Sequence, residues 1–147
     1  MRSGVRIGVD VGTTRVGVAR SDSAGTMAVP VATLRRPTAL SELVELAREY
    51  EPIEFVVGLP VSLAGTETAS THDARHFAME LHAATSITVR LVDERLTTVS
   101  AQAALHAASH DTRSSRAVID QVAATVLLDV ALDAERSGNK LGETLGE

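Results

Sequence analysis

The sequence lacks cysteine and is poor in aromatic residues. Its 147 residues include no Cys and no Trp, and only two Phe and one Tyr. The absence of Cys excludes disulfides and thiolate metal sites. The hydrophobic core must therefore be built from Val, Leu, Ile and Ala. The length suits one globular domain, which we expect over residues 1–136, with a mobile tail at 137–147.

Lysine is almost absent as well. Lys140 is the single lysine, and the other thirteen basic residues are arginines. A Walker A phosphate loop needs a lysine next to its glycines, so this class of nucleotide-binding protein is excluded. The net charge of −5 argues against an evenly basic surface. Any nucleic-acid surface must therefore be local.

Long uninterrupted apolar runs are also missing. The longest apolar tract, residues 117–132, is broken by Asp120, Gln121 and Asp129, which argues against a membrane span. Residues 1–4 lead directly into a predicted strand and leave no room for a signal peptide. We therefore expect a soluble, cytoplasmic protein with no membrane partner.

The pattern that is present predicts an α/β domain. The stretch IGVDVGTTRVGVARSD, residues 7–22, reads as two strands joined by a glycine turn, and a third strand at 27–34 completes an antiparallel meander. Apolar strands and amphipathic helices then alternate, with strands at 53–58 and 87–93 and helices at 38–51, 69–84, 98–107 and 116–136. Thr38 or Ser41 is available to cap the first helix. The prediction is a mixed five-stranded sheet with two parallel strands beside the meander and helices on both faces.

Asp10 lies inside the first predicted strand, on the face opposite Ile7 and Val9. An ionised carboxylate on a central strand is costly unless it is paired or bound to a metal. Gly8 and Gly12 on the same face leave space beside it, as a bound ion and a phosphate would require. The alternative is that Asp10 only accepts hydrogen bonds from the amides of the GTT turn.

Asp93 and Glu94 close the last predicted strand. Because successive side chains in a strand alternate, only one of the two can share the face of Asp10. The alternative for both is that they are solvated charges or caps of the following helix.

Asp120 interrupts an apolar stripe on the last predicted helix, beside Ala124 and Leu127. It either pairs with Arg116, one turn earlier, or faces a binding site. Asp129 lies on the opposite, more polar side of the same helix and needs no explanation of this kind.

Inward-facing acids from a first strand, a later strand end and a helix would form a shell of hard oxygen ligands. Such a shell suits Mg²⁺ or Mn²⁺, which would remove the repulsion between the carboxylates. Two such ions can hold a scissile phosphate and activate water. The implied chemistry is phosphodiester hydrolysis.

Four motifs carry a resemblance to a known family: IGVDVGTTRVGVARSD, VVGLP with the following GT, DERLTT at 93–98 and IDQVAA at 119–124. With them the chain, over roughly residues 5–136, resembles the YqgF family, also called RuvX, of pre-16S rRNA nucleases and Holliday-junction-resolvase homologues. The resemblance implies an RNase H-like fold, with Asp10, Glu94 and Asp120 as the catalytic acids that hold Mg²⁺ or Mn²⁺. It thus selects Glu94 over Asp93.

The same resemblance implies a metal-dependent nuclease that acts on the ends of a ribosomal RNA precursor. Branched DNA is the alternative substrate, and a junction resolvase would need paired active sites, as in a homodimer. A non-catalytic RNA-binding or transcription-associated adaptor is a further alternative, which the intact set of acids disfavours. DVGTT also resembles the first phosphate loop of actin-like ATPases and sugar kinases, but those proteins use two such domains.

The chain departs from the family in the segment before the ID motif. Family members commonly carry a lysine-rich stretch there, whereas this chain has HDTRSSRAVID, with only Arg113 and Arg116. We therefore select as candidates for substrate contact four arginines: Arg15, Arg95, Arg113 and Arg116. Arg95 and Arg116 rank first because they flank the acids, and the pair Arg35 and Arg36 is a further candidate. Each of these charges could instead be solvated.

HDARH at residues 72–76 imitates a zinc-binding HExxH motif. The His side chains are expected to point away from the apolar stripe of their helix, and no third ligand is apparent. A solvated helix face is the preferred interpretation. The glycines near Asp10 are followed by a strand rather than a helix, so a dinucleotide-binding fingerprint also fails.

Overall fold

A mixed sheet forms the centre of the molecule. The computed structural model describes residues 1–97, 115–139 and 141–146. Its strands are β1 Arg6–Val11, β2 Arg15–Ser21, β3 Ala28–Arg35, β4 Glu54–Leu59, β5 Val89–Asp93 and β6 Glu143–Leu145, in the order β3-β2-β1-β4-β5-β6. β1, β2 and β3 are antiparallel neighbours, while β4 runs parallel to both β1 and β5. The predicted meander and the two parallel strands are confirmed.

The described sheet has six strands rather than the predicted five. β6 comes from the segment expected to be a tail and pairs antiparallel with β5, where Leu145 faces Val89. Its three residues lie between Gly142 and Gly146, both in the left-handed region. A strand this short is too brief to show alternation, so the sequence pattern did not reveal it.

The described helices are α1 Arg36–Tyr50, α2 Ala69–Thr85 and α3 Ser115–Arg136, with a 3₁₀ turn at Glu94–Leu96. α1 begins two residues before its predicted start and uses neither Thr38 nor Ser41 as its N-cap. β3 instead runs directly into the helix, and Pro37 fits the first turn, where its missing N–H costs nothing. The predicted helix at 98–107 and the polar loop after it lie outside the described residues. Within those residues no helix has both the length and the apolar character needed to cross a bilayer.

Alternation along the strands divides the core into two layers. One face of the sheet packs on α1 and α2 through buried residues that include Val9, Val18, Phe55, Leu43 and Phe77. The other face packs on α3 through residues that include Val56, Val92, Ala124, Leu127 and Leu128. β4 is buried along its whole length, as predicted for a strand covered on both sides. Helices on both faces of the sheet are thereby confirmed.

α3 runs antiparallel to β1 across the sheet. The backbone oxygen of Asp120 lies over Gly17, and that of Ala124 lies over Gly8. Farther along, Glu135 pairs with Arg6 at the start of β1. This direction brings the first half of α3 to the end of β1 that carries Asp10.

Candidate active site

Asp10 and Glu94 form a carboxyl pair at the end of β1. Glu94 follows β5 directly, and its side chain is hydrogen-bonded to that of Asp10. Two carboxyl groups can share a hydrogen bond only if one carries a proton. Asp10 therefore has a carboxyl partner, which favours a binding site over the turn-amide interpretation.

Burial and like charge keep one proton on this pair of carboxyl groups. Burial, followed by the hydrogen bond to Asp10 and its charge, raises the pKa of Glu94 to about 8. Burial, opposed by the hydrogen bond to Glu94 and assisted by the charge of Asp120, raises the pKa of Asp10. At neutral pH the pair thus holds one proton where a cation could take its place.

Two glycines flank Asp10 and admit the other acids. Gly17 of β2 is its cross-strand partner, and Gly58 of β4 continues the register that pairs Val9 with Val57. A Cβ on Gly58 would lie 2.7 Å from Glu94 Oε1. A Cβ on Gly17 would overlap the backbone oxygen of Asp120. Glu94 and the α3 backbone can therefore approach Asp10 from its two sides.

The predicted role of Gly8 and Gly12 is corrected. A Cβ on Gly8 would lie 2.9 Å from the Ala124 carbonyl oxygen, so α3 fills this space. Gly12 belongs to the β1–β2 turn, where its N–H donates to the Arg15 carbonyl at 2.9 Å. The missed glycines, Gly17 and Gly58, alternate with apolar residues in the same way and carry the same signal.

Asp120 is bound by Arg15. The side chain of Asp120 is 17% exposed, and its Oδ2 accepts a hydrogen bond from Arg15 Nε at 2.7 Å. Its charge also acts on Asp10, so the three acids share one end of the sheet. The sequence suggested Arg116 as the ion-pair partner. Arg116 lies in α3, but its side chain is outside the described part of the chain.

Asp93 and Glu94 separate as alternation predicts. Asp93 Oδ1 accepts the Arg95 N–H at 2.9 Å and caps the 3₁₀ turn. The Arg95 guanidinium also binds this carboxylate, with Nη2 2.6 Å from Oδ2, and it lowers the pKa of Asp93. Arg95, a predicted substrate contact, is thus held by Asp93 beside the acid pair.

The other predicted arginines differ in their surroundings. Arg113 lies outside the described residues, and Arg35 is exposed at the end of β3. Arg36 forms a bidentate ion pair with Asp73, with N–O distances of 2.7 and 2.8 Å, and its guanidinium lies over the Phe77 ring. Arg36 therefore joins α1 to α2, which explains its position better than a phosphate contact does.

Two interpretations of isolated side chains have different outcomes. His72 and His76 are exposed on α2, which confirms the solvated helix face, and His76 lies 3.2 Å from Glu80. Asp129, which called for no explanation in the sequence, is half-buried and has a partner. Its Oδ1 accepts the Ala28 N–H at 3.0 Å, and burial raises its pKa. The sequence missed this role because the start of β3 packs beside α3.

Sequence analysis also missed a cluster of ion pairs at the opposite end of α3. A cavity of about 280 Å³ lies there, lined by Arg2, Arg6, Glu54, Arg90 and Glu135 among others. These charges pair with one another in the alternating order Arg90, Glu54, Arg2, Glu135, Arg6. Because arginines bind the carboxylates there, this cavity differs from the Asp10 site, where two carboxyl groups pair with each other.

The donor set at Asp10 fits a hard divalent cation. Carboxylate oxygens are the ligands that Mg²⁺ and Mn²⁺ prefer, and a cation would replace the proton of the Asp10–Glu94 pair. In residues 1–97, 115–139 and 141–146, no three His, Asp or Glu side chains are grouped closely enough to hold a metal ion. Two donors are adjacent, and the third, Asp120, is bound by Arg15.

The chain is similar in sequence to known proteins along nearly its whole length. A family model described as RuvX, Holliday junction resolvase, matches residues 4–134. A protein of Clavibacter sepedonicus is 52% identical over 141 residues, covering 93% of this chain and 88% of the relative. One of Streptomyces coelicolor is 47% identical over 148 residues, covering 97% and 89%. Both carry the name "Putative pre-16S rRNA nuclease".

The fold is shared with a solved structure. RuvC of T. thermophilus, in complex with a Holliday junction substrate, superimposes with a TM-score of 0.66 over 95% of this chain and 99% of that chain. The sequence identity is 12%, so this likeness concerns the fold alone. The predicted RNase H-like architecture is confirmed. On the match of residues 4–134 and on relatives with about half of their residues identical, the chain belongs to the RuvX family.

Proposed function

We propose that this chain is a nuclease dependent on divalent metal ions, which hydrolyses phosphodiester bonds at the ends of pre-16S ribosomal RNA in the cytoplasm. The observation that carries the proposal is the hydrogen-bonded pair of Asp10 and Glu94 side chains, with the charge of Asp120 beside it. Neighbouring acids whose pKa values are raised by burial and by one another are typical of functional sites. The family and the names of the relatives support the same reaction class.

In this proposal Asp10, Glu94 and Asp120 hold Mg²⁺ or Mn²⁺. When bound there, such ions would supply an activated water and stabilise the departing oxygen. The chain's own part is to release the shared proton of Asp10 and Glu94, and to position the phosphate backbone. Because the net charge is −5, positioning depends on local arginines. The candidates remain Arg15, Arg95, Arg113 and Arg116.

A second candidate is an endonuclease that cuts branched DNA. The description of the family as Holliday junction resolvases favours it. A resolvase must cut two strands, so this function requires a homodimer with paired sites. Incubation with a pre-16S RNA fragment and with a four-way DNA junction, each with Mn²⁺ or EDTA, separates the two functions. Cleavage of the junction alone, by a dimer, would replace the first proposal.

Asp10→Asn tests the role of the acid pair. The amide keeps the size of the side chain but weakens its hold on a cation, so we expect cleavage of labelled pre-16S RNA to fall at least about 100-fold. The folded state should persist, because the substitution removes a buried like charge. Single-turnover cleavage in Mn²⁺ measures the first effect, and urea unfolding measures the second.

Asp133→Asn is the matched control for this experiment. Asp133 is exposed near the far end of α3, and the chemical change is the same. We expect this variant to cleave at the wild-type rate. Full activity of Asp10→Asn would refute the catalytic role of the pair.

A further inference from the structure

The arrangement of Arg15 suggests a role beyond contact with the substrate. We propose that Arg15 exchanges partners during the reaction cycle: it holds Asp120 in the metal-free protein, and it moves to a phosphate oxygen of the nucleic acid when a divalent ion takes Asp120. This inference rests on the proposed function. It assigns Arg15 as a positioning residue that couples metal binding to substrate binding.

The geometry of the contact favours exchange. Arg15 begins β2, and its side chain is 36% exposed, whereas Asp120 is 17% exposed. The Arg15 guanidinium can therefore reach solvent while the Asp120 carboxylate stays enclosed. Among the described residues the pair is joined by one hydrogen bond, from Nε. By contrast, Arg36 binds Asp73 and Arg95 binds Asp93 through several N–H groups each. Such multidentate ion pairs are stronger than a pair with one hydrogen bond.

Charge balance gives the reason for exchange. In the metal-free protein the guanidinium of Arg15 offsets the charge of Asp120, with Nε 2.7 Å from Oδ2. A divalent ion at the same acids would repel the guanidinium and compete for Asp120. The released Arg15 would then lie beside the site with its N–H groups available to a phosphate. Metal binding and nucleic-acid binding should therefore strengthen one another.

The first test is a calorimetric titration of Mn²⁺ into the full chain without nucleic acid. Arg15→Ala removes the competitor for Asp120, so we expect the Kd for Mn²⁺ to fall about two- to five-fold, the size of a half-exposed ion pair. Arg15→Lys keeps the charge and should stay close to the wild type. Circular dichroism checks that each variant is folded.

Arg35→Ala is the matched control. Arg35 faces Arg15 across the β2–β3 pair and is exposed, so its removal takes the same charge from the same neighbourhood. We expect the Kd for Mn²⁺ to change less than in Arg15→Ala. Equal changes in the two variants would overturn the exchange, because long-range charge alone would then explain the result.

The second test measures RNA affinity in EDTA, where no cleavage occurs. Asp120→Asn frees Arg15 without any metal. Arg15→Ala should therefore weaken binding of a fluorescent pre-16S RNA fragment at least about three-fold in the Asp120→Asn background, and less than two-fold in the wild-type background. Equal effects in both backgrounds would contradict the exchange.

The outcomes separate this inference from the proposed function. If neither the wild type nor Arg15→Ala binds Mn²⁺, the metal site fails, and both proposals fail with it. If both bind Mn²⁺ equally well, the metal site stands and only the exchange of partners by Arg15 is wrong.

Discussion

At Gly58 the addition of a single methyl group tests whether the position of Glu94 matters. A Cβ there would lie 2.7 Å from Glu94 Oε1, the end of a flexible side chain. We expect Gly58→Ala to displace the Glu94 carboxyl from Asp10 while the backbone stays in place. Cleavage should fall at least about ten-fold, because misplaced catalytic groups are costly. The free energy of unfolding should change by less than about 1 kcal/mol. Single-turnover cleavage and urea unfolding measure the two effects.

Gly17→Ala is the contrasting variant on the other side of Asp10. Its Cβ would overlap the backbone oxygen of Asp120, and a helix backbone cannot rotate away as a side chain can. We expect a loss of stability of about 1–3 kcal/mol, typical of overpacking. Equal losses of stability in the two glycine variants would show that Gly58 serves packing rather than the position of Glu94.

Glu94 makes the stability of the metal-free protein depend on pH. Its pKa is raised to about 8, so between its ordinary pKa and pH 8 the folded protein binds more protons than the unfolded chain. The stabilisation is complete below the ordinary pKa and is lost as the pH rises through 8. We expect the free energy of unfolding in EDTA to fall by about 2–4 kcal/mol between pH 5 and pH 9. Urea unfolding across this range measures it.

Two variants isolate the contribution of Glu94. Glu94→Gln cannot ionise, so its stability should depend less on pH over this range. Glu45→Gln changes an exposed glutamate of α1 and should keep the wild-type slope. A wild-type stability that is flat or rises from pH 6 to pH 9 would rule out the protonated pair.

Among the elements, those with a clear period were predictable from the sequence. Alternation identified β1 and β2, and the continuous apolar run identified β4. The start of α1 was not predictable from Thr38. The first residue of the helix, Arg36, is held by contacts with other elements, because its guanidinium binds Asp73 and the Gly12 carbonyl. β6 was missed because three residues show no period. Local patterns thus give the elements, while contacts between elements set their ends.

The site was only partly predictable for the same reason. Leu91 and Val92 precede the acids and are both buried, on opposite faces of β5. Alternation therefore could not tell whether Asp93 or Glu94 faces α3, and the family resemblance was needed. Arg15 and Asp120 are separated by 105 positions, and no short-range pattern reveals their pairing. The acids could be named from the sequence, whereas their partners required the fold.

In the molecule as a whole, the acids of the proposed site and the cluster of ion pairs lie at opposite ends of α3. At its first turns Asp120 approaches Asp10, and near its last turn Glu135 binds Arg2 and Arg6. The same cluster continues to Glu54 of β4. We expect this cluster to hold the helix on the sheet against the repulsion among the acids at the other end.

Glu54→Gln tests this division. Glu54 is 3% exposed and accepts hydrogen bonds from both Arg2 and Arg90, at 3.0 Å each. Removing its charge leaves the enclosed Arg90 guanidinium without compensation, so we expect the free energy of unfolding to fall by about 2–4 kcal/mol. Glu45→Gln breaks an exposed pair with Arg48 and should cost less than about 0.5 kcal/mol. If urea unfolding gives equal costs for the two variants, the cluster does not stabilise the fold, and hydrophobic packing alone holds α3 on the sheet.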